Sequence, residues 1–317
     1  MKVVAARRRS APGLALLLVV AGLAACGGGR ATGDVDAQLR SARELWDGRS
    51  LALSTADATR LASVEGDRAL VGDRAYFIDY LHPAGIPVSE PQVLEPPRLV
   101  ASTAGSFVAA VKARWSLFGR QRTVWTLFRV DWRHGDFRIT AVFDRVEGEF
   151  PLLGGLAPLH ALSAPESKLV RAAGDFDGYV TGDSGLRPDF PFAQNDVTAR
   201  VLGGIATHKA PEPWELDTTT SKLATTADGP GFSVSIKGAV LACGIVDEST
   251  LVRHRDGVPI RPEPVLGDAH VFVRDGLYKS FTETGVEKVC VRSSAGGKPE
   301  IVALTRDRTG VSGVPAP

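Results

Sequence analysis

Between Phe107 and Phe143 the sequence settles into a period of two, and that alternation constrains the fold more than any other feature. Phe107, Ala109, Val111, Ala113, Trp115 and Leu117 fall on one side of a strand, with Lys112, Arg114 and Ser116 on the other. After a turn at Gly119, Val124, Thr126, Phe128, Val130 and Trp132 share a side. Beyond the turn Arg133-His134-Gly135-Asp136, Phe137, Ile139, Ala141 and Phe143 alternate with Arg138, Thr140 and Asp144. Strand side chains point alternately to opposite faces, so three such segments joined by short turns predict an antiparallel meander with one face in need of cover.

The preceding residues can supply that cover. From Val35, residues Leu39, Ala42, Leu45 and Trp46 recur at helical spacing. A second helical stretch opens at Ser54-Thr55-Ala56-Asp57, resembling a capping box, and runs with interruptions to Tyr80-Leu81, where His82-Pro83-Ala84-Gly85 stops it. A Pro/Gly-rich stretch from Phe150 to Pro165 reads as a linker. Ser163-Ala164-Pro165-Glu166 then opens a helix carrying Leu169, Ala173 and Phe176, and Asn195-Asp196 opens another through Val201 and Ile205. Strands are expected at Phe232, Val234 and Ile236, and over residues 239–246, 289–291 and 301–304. Helices followed by strands thus occur twice. The expected fold class is α+β, as two tandem units over residues 36–149 and 164–317 with a linker at 150–163.

The N-terminus has a different logic. Lys2 and Arg7-Arg8-Arg9 precede an apolar stretch from about Gly13 to Gly22, followed by Leu23-Ala24-Ala25-Cys26. The stretch falls short of the ~20 apolar residues of a permanent membrane span, so residues 1–25 read as a removable export signal. Leu23 to Cys26 resembles the bacterial lipobox, which implies a diacylglycerol on the Cys26 thiol and cleavage before that residue; the alternative is an ordinary secretory signal. Gly27-Gly28-Gly29 and the small or polar residues after them make 26–35 a flexible tether. Two acyl chains suffice for stable anchoring.

With Cys26 acylated, Cys243 and Cys290 remain as an even pair in an oxidising compartment, and a disulfide between them is expected, the alternative being two buried thiols. Cys243 shares a strand face with Leu241 and Ile245, whereas Cys290 shares one with Lys288 and Arg292, which places the pair at a sheet rim.

Helices packed across a curved antiparallel sheet resemble the cystatin or nuclear-transport-factor-2-like architecture, most closely over residues 36–148. The mature chain also resembles a family of actinobacterial lipoproteins. The resemblance is carried by the lipobox, the helix-and-meander first half, the segment from Leu169 to Asp183 and the closing strands. It implies a lipid-anchored location and no particular activity.

The search for chemistry is mostly one of exclusion. The chain has 37 basic and 36 acidic residues, and the leader holds Lys2 and Arg7 to Arg9, so the mature chain is slightly acidic and lacks the basic footprint of a nucleic-acid binder. Gly182-Asp183-Ser184-Gly185 occurs in serine proteases, but Leu186 replaces their next glycine and no matching histidine segment lies upstream. His82, His134, His160, His208, His254 and His270 are scattered, and no paired-cysteine zinc motif exists. No metal or cofactor is expected. Tyr76, Asp79 and His82 recur every third residue and are the one acid/base constellation, set against a solvated helix face. Trp125 lies opposite Phe128 and Trp132, where it would meet the second unit or a ligand. Lys112, Arg114, Arg122, Arg129 and Arg138 are expected on an exposed sheet face that could meet anionic lipid.

These readings combine into an expectation of a membrane-anchored extracytoplasmic lipoprotein. It would bind an envelope protein or a small apolar ligand without catalysing a reaction. The alternatives are an envelope enzyme using an acid/base pocket in the first unit, and an assembly factor for a secreted partner.

Overall fold

The Asp34 carboxylate accepts from the backbone N–H groups of Asp36 and Ala37, capping helix α1 (Val35–Ser54). The computed structural model describes residues 34–117, 119–147, 156–181, 185–207, 214–223, 231–236, 238–262 and 272–317. The expected leader, Cys26, most of the expected tether, residues 182–184, His208 and His270 lie outside them.

Helix α2 (Ala58–Val64) is capped by Asp57, which accepts from the Arg60 N–H at 2.9 Å. Helix α3 (Asp67–Asp73) runs directly into a π-helical segment, Arg74–Leu81. A turn then closes at Gly85, whose φ of +68° is favoured by glycine.

Strands β1 (Gln92–Ser102), β2 (Ser106–Leu117), β3 (Arg120–Arg133), β4 (Asp136–Phe143) and β5 (Ala157–Pro158) form the first sheet, in the order β4-β3-β2-β1-β5. The three-strand meander is as expected. His134 and Gly135 both have positive φ, the backbone twist that a two-residue hairpin turn requires. Strand β1 has no clear alternation because Pro96 and Pro97 interrupt it, and its register shifts on either side of Glu95. Strand β5 pairs with β1, and His160 pairs with Ser233, so this short stretch touches both sheets.

In the second half, helix α4 (Ala164–Gly174) starts with the capping box of Ser163 and Glu166. A 3-10 turn (Phe176–Tyr179), a small hairpin of β6 (Val180–Thr181) and β7 (Gly185–Leu186), and helix α5 (Asp196–Thr207) follow. The second sheet contains β8 (Trp214–Leu223), β9 (Phe232–Ile236), β10 (Ala239–His254), β11 (Tyr278–Ser294) and β12 (Glu300–Pro315). Its order is β12-β11-β10, with β8 and β9 sharing the far edge of β10.

The chain is therefore α+β, with helices on antiparallel sheets, and its apolar clusters order the layers. One cluster joins α1 and α2 to the meander face bearing Phe107, Val111, Trp115 and Phe128. A second lies between the sheets: Val108, Ala110, Leu127 and Phe143 from the first meet Phe232, Leu241, Cys243 and Cys290 from the second. A third packs α4 and α5 on the opposite face of the second sheet through Val170, Phe176, Val197, Val246 and Val289. The order is helices, sheet, sheet, helices.

That order corrects two expectations. Cys243 and Cys290 are directly opposed on β10 and β11 and are bonded, yet they sit at 0% exposure in the cluster between the sheets, not at a rim. The five basic residues do not share one solvent face. Arg129 reaches across to the Gly231 carbonyl at 2.7 Å, Lys112 lies 5.3 Å over the Trp125 ring, and Arg138 turns to the helix side and donates to the Ala62 carbonyl. A register shift between Arg129 and Val130 adds a residue to β4 and reverses the facing along that strand. Arg114 and Arg122, alone exposed among the five, lie on opposite faces, Arg122 opposite Trp115 and Arg114 opposite Thr123. Trp125 packs against the cluster between the sheets.

Candidate functional site

The apolar stripe of α1 contains one charge. Arg49 lies one turn beyond Leu45 and Trp46 and is as buried as they are. Its guanidinium carbon stands 5.3 Å from the Trp46 ring centroid and 5.9 Å from that of Trp115, a stacked environment suited to arginine. Its Nε donates to Glu65 Oε1 at 2.9 Å and to Asp73 Oδ2 at 2.7 Å. Glu65 is held by its position at the end of α2, where it bridges to Ile139 of β4, and Asp73 ends α3.

The second half completes the cluster. Lys288, on the β11 face that meets the first half, touches Asp307 of β12, with Asp73 Oδ1 at 3.8 Å and Asp144 Oδ2 at 3.9 Å. Asp144 also accepts from Thr126 Oγ1 at 2.9 Å. Arg49, Glu65, Asp73 and Lys288 are each 1% exposed. Two cations thus face four carboxyl groups in a setting that penalises uncompensated charge.

The electrostatics follow from burial and from that imbalance. Burial, followed by the neighbouring Asp73 carboxylate, raises Glu65 well above the usual carboxylate range. Burial alone would raise Asp73 too, but Arg49 and Lys288 outweigh it and hold Asp73 below its ordinary value. Burial opposes the charge on Lys288, yet Asp307, Asp73 and Asp144 more than compensate and its pKa moves up. Burial raises Asp307 despite Lys288. Burial and Asp73 thus push Glu65 up while the two cations hold Asp73 down, so the two carboxyls move in opposite directions.

A second carboxyl pair lies on the opposite face of the sheet, under α4. Glu248 has Oε2 at 2.8 Å from Arg306 Nε and accepts from Thr250 Oγ1 at 3.2 Å. Glu287 hydrogen-bonds Glu248 side chain to side chain, beneath Gly174, where a Cβ would come within 3.2 Å of Glu287 Oε2 and 2.8 Å of Val246 Cγ2. Burial first, then the Glu248 charge, pushes Glu287 up to about 9. The folded protein thus holds a proton that the unfolded chain releases in the ordinary carboxylate range. This contribution to stability is complete below that range and is lost as pH rises toward about 9. Glu287→Gln keeps a donor without titrating. Its urea-denaturation stability should fall by a few kcal/mol less than the wild type's between about pH 5 and pH 9. Parallel profiles would refute this assignment.

Tyr76, Asp79 and His82 do not assemble. They lie on or just after the π-helical segment, where the His82 N–H bonds the Phe77 carbonyl, and this wider turn moves residues three apart off a common face. Asp79 and His82 are exposed, with Asp79 3.6 Å from Arg74, while Tyr76 packs edge-on against Phe77. The space beneath the first sheet holds rings instead. Trp46 stacks on Phe128 at 5.6 Å and meets Trp115 edge-on at 6.3 Å, and Phe77 stands 6.1 Å from Trp115. Among the described residues no group of three or more His, Cys, Asp or Glu side chains is arranged to hold a metal ion, and no helix is long and apolar enough to cross a membrane.

The buried cluster escaped sequence reasoning because its members lie far apart in the chain. One signal was available: Arg49 occupies an apolar-stripe position, and a charge there implies a buried partner.

No protein-family model matches the chain, and no curated protein matches it. Among solved structures it is similar to an "Ntf2 like protein involved in plasmid conjugation", at 10% identity and a TM-score of 0.21, over 80% of this chain and 87% of that one. So loose a superposition carries no argument about the site.

Proposed function

We propose that this chain is a lipid-anchored protein of the extracytoplasmic membrane face, built of two tandem α+β units, that acts as a binding or interaction module and not as an enzyme. The observation carrying the non-enzymatic reading is the ring-filled space beneath the first sheet. Trp46, Phe77, Trp115 and Phe128 occupy the place where a substrate would have to enter, and Asp79 and His82 face solvent. The ionic cluster of Arg49 and Lys288 ties the units together, so recognition falls to the outer surface. Nearness to the membrane would then raise the effective concentration of that surface toward envelope partners.

The anchoring part of the proposal rests on the basic leader, the apolar stretch and Leu23-Ala24-Ala25-Cys26. Cys26→Ala should move the protein from the membrane fraction to the medium, or leave the leader uncleaved; membrane retention of a cleaved variant would refute the lipid. For the binding part, crosslinking in intact envelopes should yield a discrete adduct mapped to exposed residues. A chain that stays monomeric under crosslinking would count against it.

A further inference from the structure

The chain has only nine lysines among its 37 basic residues. Arginine is the better residue for a purely structural buried ion pair, and Arg49 fills that role in this same cluster. Lysine at position 288 differs in one chemical respect: once its amine loses a proton it can attack a carboxyl carbon. Lys288 pairs with Thr305 and Asp307 with Val286, so the two side chains are diagonal neighbours on adjacent antiparallel strands. Their reacting groups are already in contact.

We propose that Lys288 and Asp307 are the site of an intramolecular amide crosslink, formed between Nζ and the Asp307 side-chain carbonyl carbon with loss of one water.

The balance is simple. Nζ–H3+ in contact with the Asp307 carboxylate becomes a neutral amine and a neutral acid by transfer of one proton between them. The amine lone pair then forms the N–C bond, the C–OH bond breaks, and the hydroxyl leaves as water with a proton from nitrogen. No oxidant, reductant or co-reactant is needed. Asp73 Oδ1 and Asp144 Oδ2, 3.8 Å and 3.9 Å from Nζ, are the neighbouring carboxylates that could relay the nitrogen proton to the departing hydroxyl after closing to hydrogen-bond distance.

Two features of the site favour the step. Burial of Lys288 at 1% exposure, beside an Asp307 side chain 19% exposed, lowers the cost of the neutral pair relative to the ion pair, which water would otherwise stabilise; this works against the carboxylates that keep Lys288 charged. The contact is also fixed from above. Gly72 roofs it so closely that a Cβ there would lie 3.4 Å from Asp307 Oδ2 and 4.0 Å from Lys288 Nζ. Groups held in this way react at high effective molarity. Forming the amide would also remove one positive and one negative charge from the cluster, leaving Arg49 to Asp73 and Glu65.

Tryptic mapping of the full, reduced and denatured chain tests the proposal. Lys288 in an amide resists trypsin, so the expected product is a branched peptide of residues 280–292 joined to residues 307–308, lighter than the two together by one water. Its presence in measurable yield supports the crosslink. Complete cleavage after Lys288, with free 289–292 and 307–308 at full mass, overturns it. Lys288→Arg should restore the missing water in the intact mass, and a variant still lighter by one water would also overturn the assignment. If that variant fails to fold, the wild-type map decides alone.

Discussion

Asp73→Ala should cost about 3–5 kcal/mol of folding stability, a large share of the ~5–15 kcal/mol typical of a domain. Among the described carboxylates Asp73 alone lies within 4 Å of both buried cations, touching Arg49 and standing 3.8 Å from Lys288. Without it, Arg49 keeps Glu65, a carboxyl whose charged form burial penalises, and the more distant Asp144 charge, and Lys288 loses a charge it faces from across the boundary between halves. The penalty comes chiefly from charge left buried without compensation. Asp79→Ala is the control: that carboxylate is exposed and 3.6 Å from an equally exposed Arg74, so its loss should cost no more than ~1 kcal/mol. Urea denaturation of the two variants against the wild type would settle the matter, and equal midpoints would sink the claim that the cluster is structural.

The second large effect concerns the disulfide. Cys243 and Cys290 are 47 residues apart in sequence, and the bond closes that loop across the central strand pair of the second sheet. Loop closure of this size removes roughly 4 kcal/mol of conformational entropy from the unfolded chain on the chain-entropy model. Replacing both cysteines by alanine should lower stability by about that amount, with a small further cost for the volume lost between the sheets. The double variant avoids a lone buried thiol. Thermal melting of the oxidised wild type and the double variant is the measurement, and a shift of only a degree or two would show that the bond contributes little.

Local rules wrote much of this fold legibly. The meander was readable because three successive strands alternate apolar and polar side chains and are joined by turns with glycine at the required backbone angle. The α4 cap was readable from Ser163 and Glu166 alone. What escaped is non-local. Pro96 and Pro97 hid β1, which survives because its register shifts around them. The far halves of β10, β11 and β12 carry Glu248, Thr250, Glu283, Thr284 and Arg308, and so resemble loops; they are strands because backbone pairing continues through them. Lys288 suggested an exposed strand face beside Cys290. The inference failed because the carboxylates that compensate Lys288 come from α3, the end of β4 and β12, and no local pattern can announce a partner more than two hundred residues away.

The place of Cys243 and Cys290 between the two sheets bears on the order of events in the life of the chain. No thiol, oxidant or isomerase can reach sulfur atoms at 0% exposure once Phe143 and Leu127 have closed over them. Pairing must therefore be complete while the C-terminal strands are still uncovered, although the N-terminal half is made first. Maturation is thus a race between sulfur chemistry and docking, and the chain needs oxidising surroundings during that interval and none afterwards.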